Sequence, residues 1–242
     1  MGDKERPVAF HAYQALLESA MQRTAAGSEA ERRGLARTLA SELTQMSPPE
    51  RDGAGHELPP KPQHVAEVRN KILQLLGYVG DADEVPALSL ALRDLDTREM
   101  ARFALERNPS QQATEALIVA LQEVGPEFRV GVVNSLGKRR GPKALSVLQA
   151  AASDREADVR LAAVEALANF PEPTNDAIII KVLLPGTLEA QRRASRARLR
   201  LAETLRKAGN RTAAMQIYTA IRSGEAEAPQ KKAAEIGLKS LA

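Results

Sequence analysis

The chain contains no cysteine and no tryptophan, and aromatic residues make up only 3% of it. Without cysteine there can be no disulfide, no thiolate metal site and no cysteine nucleophile. With so few aromatics the core must be built from Ala, Leu, Val and Ile. Such a core suits close-packed helices better than a sheet sandwich. Long apolar runs are also missing. The most apolar stretch, Ala177 to Leu184, includes Lys181 and is far too short to span a bilayer. Residues 1–6, MGDKER, lack the apolar core of a signal peptide. Arg6 breaks the N-myristoylation pattern. The expectation is a soluble, cytoplasmic protein, or a periplasmic or exported one if an N-terminal signal has been removed.

Groups that do chemistry are equally scarce. The three histidines are His11, His56 and His64, and none has a His or carboxylate partner at metal-ligand spacing on a shared helix. They read as solvated side chains. Ser135 has no G-x-S-x-G elbow around it and lies within a helical pattern, so it reads as a small residue where helices pack. No P-loop or dinucleotide-binding glycine pattern appears. The sequence therefore assigns no catalytic, cofactor-binding or metal-binding residue, and the protein reads as a non-enzyme.

What is present is repetition. The stretch Phe128–Phe170 reads as helix, tight turn, helix, break and a further helix opening with the same chemistry. Val68, Met100, Phe128 and Val159 align as the first inward residues of successive leading helices, with offsets of 32, 28 and 31 by subtraction. Four positions on stand Ile72, Ala104, Val132 and Ala163; nine on stand Gly77, Pro109, Gly137 and Ala168. In the second helices Leu88, Leu117, Leu148 and Ile180 align at offsets of 29, 31 and 32. Two independent positions sharing a period near thirty mark stacked helix pairs. Asp96 with Glu99, and Ser153 with Glu156, have the spacing of capping boxes at the openings of repeats.

The boundaries follow from composition. Residues 1–46 read as an N-terminal helical hairpin, with Ala9, Tyr13, Leu16, Leu17 and Ala20 on one helix and Leu35, Leu39, Leu43 and Met46 on the other. Gly27 ends the first helix, and Ser28 with Glu31 could cap the second. Residues 47–63 form a Pro-rich loop or linker. The repeats occupy 64–185, and 186–242 hold C-terminal helices closed by a segment from Lys231 to Leu241, where Ala234, Ile236 and Leu241 face inward.

These units resemble HEAT repeats, in particular the short Ala-rich bacterial kind related to phycobilisome-lyase-like repeats. That family often places an acidic residue six positions before an arginine. Glu123 with Arg129 and Asp154 with Arg160 match, Gln63 with Arg69 matches in part, and Ala101 interrupts the series. The resemblance implies that such pairs link neighbouring repeats and satisfy helix ends. The segment LAETLRKAGNRTAAMQIYTAI resembles a tetratricopeptide hairpin through Leu201, Ala202, Leu205, Gly209, Ala214 and Tyr218, with Arg198 where that motif has a large aromatic. The implied fold class is all-α, an α-solenoid: a right-handed HEAT-like helix-pair superhelix.

Charge is nearly balanced, 34 basic against 31 acidic residues. That excess is milder than a dedicated nucleic-acid binder carries. Two basic clusters stand out. Lys138, Arg139 and Arg140 lie at an interhelix turn, and Arg192, Arg193, Arg196 and Arg200 crowd one later helix, with Arg192, Arg196 and Arg200 at i, i+4 and i+8. These seven residues are the candidate partner-binding positions. The expected function is a non-catalytic protein–protein interaction scaffold that holds a partner on the concave face formed by its second helices. One alternative is nucleic-acid binding through the basic helix. Another, implied by the resemblance, is a lyase-like chaperone for a chromophore.

Overall fold

The computed structural model describes residues 18, 29–46, 63–183, 187–224 and 226–241. The first helix of the expected hairpin, the Ser28 cap, the stretch 47–62, His11 and His56 lie outside the described residues. Among the described residues there are twelve α-helices and no strand. The chain divides into two compact units, 1–120 and 121–242.

The first unit holds α1 (Glu29–Gln45), α2 (Gln63–Val79), a 3-10 turn (Ala82–Glu84), α3 (Val85–Ala91), α4 (Arg98–Arg107) and most of α5 (Gln111–Glu123). Helix α1 packs on α2 through a stripe of Ala36, Leu39 and Leu43, while Leu35 and Met46 are half-buried at its edges. Helix α2 packs on α4, and α3 closes against α4. The sharp turn after α2 is held by Asp81 and Glu84. The Asp81 carboxylate accepts from the Ala82 amide at 2.8 Å, and the Asp81 amide donates to Glu84 at 2.7 Å.

The second unit continues with α6 (Pro126–Arg139), α7 (Ala144–Ala151), α8 (Ala157–Leu167), α9 (Asn175–Leu183), α10 (Leu188–Lys207), α11 (Arg211–Ser223) and α12 (Ala228–Lys239). Helix α6 packs on α8, α8 on α9 and α10, α10 on α11, and α11 on α12. Arg140 ends α6 in the left-handed conformation with φ 52°, and Gly209 turns the chain between α10 and α11 with φ 86°. Leu201, Ala202, Leu205, Ala214 and Tyr218 are all buried in that last layer.

Successive leading helices approach closely at a glycine. A Cβ on Gly137 would lie 2.5 Å from the Ala166 Cβ and 2.9 Å from its Cα. At Gly77, sixty residues earlier by subtraction, a Cβ would lie 3.2 Å from the Phe103 ring and 3.3 Å from the Ala104 Cα. The bare backbone leaves each carbonyl open to the next helix. Gly77 accepts from Arg107 Nε, and Gly137 accepts from Asn169 Nδ2, both at 3.2 Å.

Several expected positions shift by one residue. Val68 is exposed, and Arg69 beside it is 1% exposed. The guanidinium must reach Asp94 on the next layer, so α2 is rotated to bury Arg69, Ile72, Leu73 and Leu76. Met100 is only half-buried. In α9 the inward residue is Ile179, with Ile180 half-buried, which evens the period of the second helices. Ser135 is fully buried within α6. The last helix starts earlier than Lys231, because Pro229 fits the first turn where no amide partner is required. There Ala234 is buried but Ile236 is exposed, and Gly237 takes the inward place against the Tyr218 ring.

Gly137→Ala is expected to destabilise the protein by about 1–3 kcal/mol, as overpacking does. Adding Ala166→Gly should recover part of that loss. Urea unfolding followed by circular dichroism measures both, and simple additivity of the two changes would show that the close approach is not what limits this position.

Candidate interaction surface

The polar links between layers repeat as the apolar ones do. Arg69 Nη1 donates to Asp94 Oδ2 at 2.5 Å, and Asp94 Oδ1 accepts from the Asp96 amide at 3.0 Å. Arg129 Nη1 donates to Asp154 Oδ2 at 2.5 Å, and Asp154 Oδ1 accepts from the Glu156 amide at 2.9 Å. Each aspartate thus joins a leading helix to the turn that opens the next one. This corrects two expectations. Asp154 pairs with Arg129, 25 residues earlier, and not with Arg160, which donates to the carbonyls of Asp154 and Arg155 at 2.8 Å. The capping boxes Asp96–Glu99 and Ser153–Glu156 do not form: the N-caps are Thr97 and Glu156, neither with a side-chain cap bond. The aspartates organise those turns instead. Ala101 is buried where the arginine would stand in the intervening repeat.

The arginine Nε atoms of Arg69 and Arg129 are buried with no hydrogen-bond partner. Each pair therefore carries an uncompensated donor, and its main effect is to fix the register between layers.

The candidate basic residues fall in two places. Lys138 and Arg139 occupy the last turn of α6, where cations complement the helix dipole, and Arg140 follows at the cap. Arg192, Arg193, Arg196 and Arg200 all lie on α10. Much of that helix is bound to the chain's own carboxylates. Arg192 meets Glu227, which caps α12, at 2.7 Å and Arg193 meets Glu165 of α8 at 2.8 Å. Arg198 holds Asp176 of α9 through two bonds at 2.7 and 3.1 Å. The Arg192 guanidinium keeps the Glu227 carboxyl below its ordinary range. Arg196 reaches Glu189 only at 3.9 Å, and exposed Arg200 has no ion pair among the described residues.

Two of the exposed aliphatic side chains share a register position that was not anticipated. Leu90 on α3 is 47% exposed and Val119 on α5 is 53% exposed. Each stands two residues beyond the buried Leu88 and Leu117, so both occupy one register position of consecutive second helices. The aligned period contained this signal; only the inward positions were read from it.

In the second unit a groove of about 330 Å³ runs between α6 and α8, with Val130, Leu161 and Ala162 as floor and Glu127 and Asp158 at its rim. A second cavity of about 370 Å³ lies among α10, α11 and α12, beside Arg192, Ser195 and Glu227. Among the described residues no group of three His, Asp or Glu could hold a metal ion. No helix among them is long and apolar enough to cross a membrane.

One cluster on α10 and α11 responds to pH. Arg206 holds Glu203 at 2.7 and 2.8 Å, lowering that carboxyl to about 2. Tyr218 donates to Glu203 at 3.3 Å. Burial, then the adjacent carboxylate, push its phenol up to about 12.

These features define a class: an all-α helical-repeat protein whose layers are joined by matched glycine contacts and Arg–Asp links. Comparison with known proteins agrees. Residues 85–168 match the HEAT repeats family, so this part of the chain, from α3 through α8, is built of HEAT repeats. Among solved structures, the complex of CpcE and CpcF of phycocyanin lyase from Nostoc sp. PCC7120 is similar at 20% identity and a TM-score of 0.44, covering 96% of this chain and 89% of that one. An engineered protein is similar at 14% identity and a TM-score of 0.43, covering 94% of this chain and 96% of that one. A second engineered protein gives 13% identity and a TM-score of 0.43, covering 93% and 68% respectively. No curated protein matches the sequence.

Asp94→Ala, which leaves the Arg69 guanidinium buried without its carboxylate, is expected to cost about 3 kcal/mol. Asp154→Ala should cost less, because the Arg129 side chain keeps 19% exposure against 1% for Arg69. Chemical unfolding of both variants checks the order. For Tyr218 the phenol is protonated in both folded and unfolded states below pH 10, so its stabilising contribution is complete there and is lost as pH rises to about 12. An alkaline titration of tyrosinate absorbance should show one ionisation near pH 12 that Tyr218→Phe removes.

Proposed function

We propose that the chain is a non-catalytic scaffold that holds a protein partner along its second helices. The observation that carries this reading is the pair Leu90 and Val119, two half-exposed aliphatic side chains at one register position of consecutive repeats. Repeat arrays recognise partners through such recurring outward positions, because stacking fixes their spacing. Aliphatic side chains held apart on a rigid frame suit an extended peptide or a domain edge. The arginines of α10 weigh on the same side. Arg192, Arg193 and Arg198 are bound to carboxylates of neighbouring helices, so much of the charge that would meet phosphates is already neutralised.

The test is site-specific photo-crosslinking in the native host. A crosslinking residue at position 90 or 119 should yield the same discrete protein adduct, and the Leu90→Asp, Val119→Asp double variant should lose that partner while keeping its helical spectrum. A residue placed at Glu99, exposed on leading helix α4, serves as the control. Adducts at position 99 with none at 90 and 119 would overturn the reading. So would tight, steeply salt-dependent binding to a generic DNA duplex, which belongs to a nucleic-acid binder.

A further inference from the structure

The leading helices of the second unit change chemistry in register. Glu127, Val130 and Asn134 on α6 correspond to Asp158, Leu161 and Glu165 on α8, each 31 residues on by subtraction. Another 31 residues on, the same positions of α10 are Glu189, Arg192 and Arg196. The first of these positions stays acidic on all three helices, while the other two, Val130 and Asn134 on α6 and Leu161 and Glu165 on α8, become arginine on α10. The groove between α6 and α8 has an aliphatic floor, and its rim carboxylates, Glu127 and Asp158, form no ion pair among the described residues. On α10, Leu188 is 58% exposed, Arg196 is exposed and 3.9 Å from its partner Glu189, and Arg200 is exposed with no ion pair among the described residues. Leu188, Arg192, Arg196 and Arg200 follow one another at intervals of four along that helix.

The second unit thus carries a groove with aliphatic side chains in its lining, the carboxylates Glu127 and Asp158 and the Glu165–Arg193 pair around them, and on α10 an exposed leucine followed by the exposed Arg196 and Arg200. We propose that the second unit pairs with a second copy of this chain through this face. Leu188 of each copy enters the Val130–Leu161 floor of the other, and Arg196 and Arg200 of each meet Glu127 and Asp158 of the other. Because slot and ridge belong to the same unit, a two-fold rotation that seats one ridge in one slot seats the other pair as well, which is the self-complementary geometry of a cyclic dimer. The opposed charges set orientation and exclude the parallel arrangement, in which arginine would face arginine. A polyanion is a poor occupant of a slot edged by two carboxylates. A foreign basic segment would satisfy only the slot and leave Leu188 in water. This pairing is independent of the partner surface at Leu90 and Val119, which belongs to the first unit.

The experiment is sedimentation equilibrium of the full chain at about 100 μM, above the μM range of weak specific interfaces. The wild type is expected at twice the monomer mass. Glu127→Arg with Asp158→Arg should weaken association at least tenfold, and so should Arg196→Glu with Arg200→Glu. An equimolar mixture of these two charge-reversed proteins should recover a dimer, because in the mixed pair both contact sets are again complementary. Reversal at the first turns of α6 and α8 also opposes their helix dipoles. Glu127→Gln with Asp158→Asn, and separately Leu188→Asp, therefore repeat the test without that penalty, with circular dichroism confirming the fold. A wild type that sediments as a monomer overturns the proposal. So does a dimer indifferent to Leu188→Asp and the charge changes, or a failure of well-folded charge-reversed proteins to associate on mixing.

Discussion

Two helices whose backbones nearly touch leave no room for a side chain between them, and this constraint recurs at Gly77 and Gly137. Close approach brings the carbonyl of each glycine within reach of the following layer, where Arg107 and Asn169 donate to it. It also brings Arg69 and Arg129 under the turns that Asp94 and Asp154 organise. The apolar core then has little freedom. Val132, Val133 and Leu136 of α6 and Ala163 and Leu167 of α8 are all buried where the two helices pack, at a spacing set by the glycine. Small aliphatic side chains suffice because the gap they fill is narrow, which is why the protein can form its core with so few aromatics.

The Arg–Asp links work differently. Each leaves an Nε buried and unpaired, so each costs part of what it contributes. Their value is geometric. An aspartate that holds both an arginine of the previous layer and an amide of its own turn tolerates one register only. In the intervening repeat Ala101 replaces the arginine and apolar packing carries the contact.

Much of this was legible in advance. Ile72, Ala104, Val132 and Ala163 are buried as their spacing implied, and Gly137 stands at a close contact as a small residue nine positions beyond Phe128 should. One position was misread and one was read without its partners. Val68 looked inward because valine is apolar, yet the ion pair of its charged neighbour governs the rotation of α2. The arginines of α10 were legible as a cluster, but the carboxylates that bind three of them, Glu165, Asp176 and Glu227, come from elsewhere in the chain. A list of arginines at intervals of four does not show which acids the fold will place beside them.

The sequence by itself determined the helical class, the period near thirty and the identity of most inward aliphatic residues, because periodicity is a local property of the backbone and is written directly in residue order. Tertiary structure alone decided which arginine meets which aspartate, which of three consecutive isoleucines in α9 is buried, and which carboxylate each arginine of α10 meets. Those outcomes depend on the rotation and distance of one helix against another. Such quantities follow from the simultaneous packing of all neighbours and have no counterpart in any single stretch of chain.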